Sequence, residues 1–343
     1  MAGPSFPEAF NLADYYLFDR ISEGLGDKVA IRFGDRAWTY AKVANKARAF
    51  ASLLTDAGVG RGERVLIVLP DVPPFAWAFF GTLAAGAVVA MGNPDLPPSS
   101  IEYLVRYTGA TAIVTVPKVR DALQQAIATR EIGDEVRAIW AVPDAPTGSD
   151  PESDAGDGDL TAALAGVNMR TGHARTHRDE PAIWLFTSGS TGEPKANVHA
   201  HRDFAFNTEV YAKKTVGYGR NDVTVSVPRL YFGYATGTNL MFPFAVGATV
   251  GLFSERPTPE SLARAIEMYH PTIVTNVPTM LGKLLEHDAA VRAKGGEGLD
   301  FGSIRFSLSA GEARPAALLE RWLARFESEV YDGIGSAEMF HIY

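Results

Sequence analysis

The chain has 343 residues, 46% of them hydrophobic and 21% charged, which describes a globular protein of two or three packed units rather than a fibrous or disordered one. It contains no cysteine, so disulfides, thiolate nucleophiles and Cys-based metal centres are excluded, and a cytoplasmic location is expected. A net charge of −8 argues against nucleic acid as a partner, and a chain this acidic must reverse its sign locally to handle anions.

In chain order, the start MAGPSFPEAFNLADYY has acids and no basic region, so no secretory signal is expected. An amphipathic helix is expected over 42–58, ending on Gly58, and a strand over 64–70. Residues 72–94 carry no charge and imitate a membrane span. Pro73, Pro74 and Pro94 bracket the run and glycines interrupt it. The expectation is therefore a buried helix over about 74–85, a break at Gly86 and a buried strand over 87–91, with no membrane partner. A helix over 99–109 closes on Gly109, and strands follow at 111–116 and 135–142.

Residues 144–159 hold six acids, no base and many Gly, Pro and Ser, the pattern of a solvated linker. Strands resume at 182–188, 224–228, 248–253, 272–278 and 303–308, with helices at 259–270 and 313–327. Strands separated by helices imply an α/β fold: two packed α/β subdomains with largely parallel sheets flanked by helices. The expected division is 1–143, a linker over 144–180, and 181–343.

The strand at 182–188 runs into Thr187, Ser188, Gly189, Ser190, Thr191, Gly192, Glu193, Pro194 and Lys195. Glycines let the backbone approach a phosphate, backbone amides and four hydroxyls supply donors, and Lys195 supplies a positive charge. Only two residues separate Gly189 from Gly192, so this is not a Walker loop, nor is it a dinucleotide fingerprint. TSGSTGEPK resembles the signature of the adenylate-forming superfamily of acyl- and aryl-CoA synthetases, peptide-synthetase adenylation domains and luciferases.

That resemblance implies further site residues. Ala310, Gly311 and Glu312 match the stretch that passes beneath adenine, and Ser309 precedes them at the pocket. Asp332, Gly333 and Ile334 match the next nucleotide-binding element, and Glu338 matches the carboxylate that binds Mg²⁺ with ATP. Two departures stand out: Ala337 replaces the usual Thr before the Glu, and Ile334 replaces an aromatic residue. Ser336 is a candidate substitute for the missing hydroxyl. Histidines 199 and 201 follow the phosphate loop, but no general base is needed because a substrate carboxylate is already ionised.

Residues 228–249 pack five aromatic rings into a Gly-rich stretch, which alone fits a core element as well as a pocket. Together with 331–343 it resembles the benzoate–CoA ligase branch, which implies an aromatic carboxylic acid as substrate, CoA as acceptor, and Gly233, Tyr234, Ile334, Gly335 and His341 around the aryl ring. Gly233 stands where that branch has Ala, so a slightly enlarged pocket is expected. The implied catalytic pair is Lys195 and Glu338. Members of the superfamily continue past the point matching Tyr343, so the resemblance implies a core portion without the small C-terminal domain. Aryl-ligand or nucleotide binding is then expected, with weak adenylation and no thioester formation unaided. Loading of a carrier protein and an inactive acid-binding remnant are the alternatives, and homodimerisation stays open.

Overall fold

The computed structural model describes residues 3–132, 135–143, 146–151, 159–170, 172–187 and 192–342. Among them run the strands β1 (Val29–Phe33), β2 (Arg36–Thr39), β3 (Arg64–Ile67), β4 (Val88–Met91), β5 (Ala110–Thr115), β6 (Ala138–Ala141) and β7 (Pro181–Thr187). They continue with β8 (Lys195–Ala200), β9 (Val223–Ser226), β10 (Thr249–Leu252), β11 (Ile273–Asn276), β12 (Phe306–Ser309) and β13 (Glu329–Asp332).

The strands form two sheets, ordered β6-β5-β3-β4-β7-β8 and β13-β12-β11-β9-β10-β1-β2. Each is parallel except at one edge, where β7–β8 and β1–β2 pair antiparallel. Helices cross between the parallel strands, which is why β3, β4 and β5 are near-continuous apolar runs buried on both faces. This is the α/β architecture expected from the alternation of strands and helices.

Sheet membership does not follow the expected division at 144–180. β1 and β2, from the first stretch, join the sheet of β9–β13, and β7 and β8, from the second, join the sheet of β3–β6. The reason is edge pairing: Ile31 and Phe33 lie beside Val250 and Leu252 on β10, while Ile183 lies beside Val89 on β4. One apolar core consequently spans both sheets, with Val65, Val89 and Ile183 from one and Ile31, Val250 and Ile273 from the other. A second core, including Leu262, Leu284 and Trp322, lies under the helices Pro259–Tyr269, Pro278–Ala293 and Ala316–Phe326.

The uncharged run is a helix, Pro73–Ala84, buried on all sides, then β4, with Gly86 at φ +74° between them. Burying Phe75, Trp77, Phe79, Phe80 and Leu83 contributes at most about 15 kcal/mol. No helix among the described residues is long and apolar enough to cross a membrane. The helix Tyr40–Asp56 starts where the Thr39 side chain accepts from the Lys42 amide at 3.2 Å.

Candidate active site

The carboxyl ends of parallel strands are where an α/β sheet binds ligands, because loops leave there and helix N-termini point there. In the larger sheet the last residues of four strands lie in adjoining register: Ser226 beside Thr275, Asn276 beside Ser309, and Ser309 beside Asp332. In the other sheet β7 ends at Thr187, the first residue of the glycine–hydroxyl signature. Ser188, Gly189, Ser190 and Thr191 lie outside the described residues. Gly192 is exposed, at φ +93°, and Thr187 pairs with Lys195 across the β7–β8 hairpin. Lys195 is exposed at the start of β8. Two tyrosines brace this arm: Tyr103 donates to the Pro194 carbonyl at 2.9 Å, and Tyr107 accepts from the Ala196 amide at 3.2 Å.

β8 carries the phosphate arm to Glu338. The Glu338 carboxyl is held below its ordinary range by its own backbone amide and the Ser336 hydroxyl, with further help from the Asn197 amide and the His199 ring. His199 is buried and its Nε2–H donates to the Ala337 carbonyl at 2.6 Å. Asn197 and His199 therefore tie the turn bearing Glu338 to the strand that starts with Lys195. The sequence reading missed this tie, whose only local signal was the alternation Asn197, His199 along one face of a strand. Ser336 is engaged with Glu338, so its hydroxyl does not stand in freely for the one absent at Ala337.

A groove of about 920 Å³ opens beside this turn, lined among others by His199, Tyr211, Asp332, Ile334, Glu338 and Met339. Gly333 shares it, with its amide donating to the Ser309 carbonyl at 2.9 Å. Ile334 is 69% exposed there. Lys195, Ala310, Gly311 and Glu312 are not among its lining residues. Ala310 is buried, and Gly311 sits at φ +89° with open space where a side chain would be, a surface that a flat base can approach. The Glu312 carboxylate turns away, accepting from the Thr279 amide at 3.3 Å at the start of the helix Pro278–Ala293. Asp332 faces Arg314, with 3.7 Å between Oδ1 and Nε.

Beneath the groove lies an aromatic nest. The His341 ring is buried among Tyr234, Tyr211 and Phe242, at centroid distances of 5.1, 5.4 and 4.7 Å. Its Nε2–H donates to the Tyr234 carbonyl at 3.0 Å, and burial pushes its pKa down to about 3. His341 Nδ1, the Tyr234 hydroxyl and the Ser309 hydroxyl are buried without a protein partner among the described residues. Buried polar atoms are nearly always bonded, so these three are open to a small polar partner. Backbone shape explains the nest. Residues 208–216 and 237–241 are π-helical, a widened turn that carries Tyr211 and places Gly237 against His341. Gly335 is obligatory, since a Cβ there would meet the His341 carbonyl oxygen at 2.4 Å.

Gly233 does not enlarge this nest. A Cβ at that position would lie 2.8 Å from Leu185 Cδ1 and 3.2 Å from the Phe340 carbonyl oxygen, so the space is already filled by core atoms. Tyr234 packs against His341, Gly233 lies against Leu185 and Phe340, and Gly335 lies against His341, while Ile334 lies in the exposed groove. Among the described residues no group of three or more His, Asp or Glu could cage a metal ion.

The chain is similar to several known proteins. The chain is 33% identical to a benzoate–CoA ligase of Thauera aromatica over 98% of its own length and 60% of that protein. Among solved structures, a benzoate CoA ligase from Burkholderia xenovorans LB400 shares 31% identity and a TM-score of 0.81, covering 97% of this chain and 62% of that one. An anthranilate CoA ligase, AuaEII, in complex with anthranoyl-AMP shares 27% identity and a TM-score of 0.87, covering 98% and 61%. The chain thus spans about 60% of the length of the curated relatives it matches. A family model described as AMP-binding enzyme matches residues 18–343, and with the signature at 187–195 on the carboxyl end of β7 the chain belongs to the AMP-binding enzyme family.

Proposed function

We propose that this chain supplies the nucleotide- and acid-binding core of an ATP-dependent aryl-acid–CoA ligase. The observation that carries the reading is the union of a charged, exposed edge bearing Lys195 and Glu338 with a buried, uncharged aromatic nest at Tyr234 and His341. In this reading benzoate or a hydroxy- or aminobenzoate places its ring at the nest. Its carboxylate oxygen attacks the α-phosphorus of ATP, the bond to the bridging oxygen breaks, and pyrophosphate leaves with the electron pair. CoA thiolate then displaces AMP from the aryl-adenylate.

Lys195 would neutralise charge on the outer phosphates, and the amides of residues 187–192 would donate to their oxygens. Glu338, a single exposed carboxylate held ionised, is the residue that would hold Mg²⁺, and among the described residues no cluster of acids or histidines could cage an ion. When bound, the ion would offset phosphate charge. Positioning two anions is the main task of the residues in hand, and covalent chemistry by the protein is not required.

Benzoate-dependent ATP–pyrophosphate exchange tests the adenylation step, with a panel of hydroxy- and aminobenzoates. Titration with benzoyl-sulfamoyladenosine, a stable mimic of the aryl-adenylate, tests the site itself. Tight binding that requires the benzoyl group supports the reading. Failure to bind both that mimic and ATP would overturn it.

A further inference from the structure

Between the two sheets lies an ion pair outside the groove and the nest. Asp71, just after β3, and Arg229, just after β9, approach to 3.6 Å, with side chains 2% and 9% exposed. Asp71 Oδ1 also accepts from the Leu230 amide at 2.9 Å. Arg229 donates to the carbonyls of Phe253 at 2.7 Å and Ser254 at 3.4 Å, and its guanidinium lies 4.8 Å over the Phe253 ring.

Both charges have hydrogen-bond partners, yet taking them out of water is expensive. An apolar pair of similar volume would serve stability as well or better. What the pair does have is position. The Phe232 amide donates back to the Arg229 carbonyl at 2.9 Å, and the Thr236 hydroxyl donates to the carbonyls of Leu230 at 2.6 Å and Phe232 at 3.0 Å. The turn of residues 229–236 is thereby one bonded unit. It carries Gly233 and Tyr234, and Asp71 grips it from the opposite sheet.

We propose that Asp71 and Arg229 are positioning residues for the acid pocket: the carboxylate of one sheet fixes the turn of the other and so sets Tyr234 against His341. This inference rests on the aryl-acid reading of the site. It goes beyond that reading because neither residue touches the nest.

The test uses the full chain, benzoyl-sulfamoyladenosine and ATP as separate probes, and hydrogen exchange of residues 229–236. Asp71→Asn keeps an acceptor for the Leu230 amide but removes the charge. Asp71→Leu with Arg229→Met replaces the pair by apolar groups that can fold without a buried charge. Both variants are expected to bind the benzoyl mimic about tenfold more weakly, because small misplacements of positioning groups carry such factors, while ATP affinity stays within about twofold. Exchange of 229–236 should rise about tenfold over exchange of β3 and β9. Arg229→Lys, which keeps the charge, should recover part of the affinity. Wild-type binding and exchange in the double variant would overturn the proposal, as would parallel loss of both ligands. If wild type itself fails to bind the benzoyl mimic, the aryl reading falls, and the exchange measurement, which needs no ligand, still decides whether the pair holds the turn.

Discussion

The two halves of the proposed site, for nucleotide and for aryl acid, differ in what water can reach. Along the nucleotide half, Lys195, Gly192, Asp332, Ile334 and Glu338 are exposed or only partly covered. In the acid half, His341 and Gly237 are buried and the Tyr234 hydroxyl is sealed from solvent. The difference fits the ligands proposed for each half. A triphosphate brings several charges that keep some of their water and need only a few counter-charges. An aryl ring gains affinity mainly by leaving water, so its seat must be dry. A substitution in one half should therefore act on charge neutralisation, and a substitution in the other on packing.

The largest expected effect breaks the charged half alone. Lys195→Ala or Glu338→Gln should lower benzoate-dependent ATP–pyrophosphate exchange about 10²–10³-fold, the usual loss when one group stabilising developing charge is removed. Thermal unfolding should change little, because both side chains are exposed. A large fall in melting temperature would show that the two halves are not separable.

Acid should act on buried histidines, one in the aromatic nest and one outside it. His341 and His201 have folded pKa values pushed down by burial to about 3 and about 4, from an ordinary 6.5. Around His201, Glu180 and Asp14 oppose that shift and Arg61 adds to it. With folded values below the unfolded one, the fold favours the neutral rings. Stability is full above pH 6.5 and falls as pH drops towards 4, by up to about 3 kcal/mol per histidine. Urea denaturation at pH 7.5, 6 and 5 checks this, and His201→Asn should flatten the dependence.

Packing is next. Gly237→Ala would put a Cβ 2.6 Å from His341 Cδ2 and 3.0 Å from Phe242 Cζ, at a cost of about 1–3 kcal/mol. Affinity for benzoyl-sulfamoyladenosine should fall with it, while ATP affinity is retained. The smallest effect is a reference outside both halves. Thr39→Ala removes a helix cap and should cost about 1 kcal/mol without changing either ligand's affinity.

Much of the fold was legible because local pattern and local structure coincide. β3, β4, β5, β9, β10 and β11 fall on β-branched runs, and Gly109 closes its helix in the left-handed region at φ +55°. The exchange of edge strands between sheets was not legible, because Ile31 pairing with Val250 is a contact between distant segments that no periodicity encodes. In the site, the glycine–hydroxyl loop and Glu338 announce themselves by residue type. Asn197, His199 and Phe242 do not, since their roles arise only when β8, the turn at 336–342 and the π-helical segments meet. Gly233 shows the opposite failure. Residue size suggested open space, and the neighbouring Leu185 fills it.

Calorimetric titration of benzoyl-sulfamoyladenosine against adenosine sulfamate, which lacks the ring, measures the acid half directly. Burial of a phenyl ring is worth about 2–3 kcal/mol, so the account predicts affinity roughly 30- to 160-fold higher for the benzoyl compound, with a negative heat-capacity change. Equal affinities for the two compounds would contradict it.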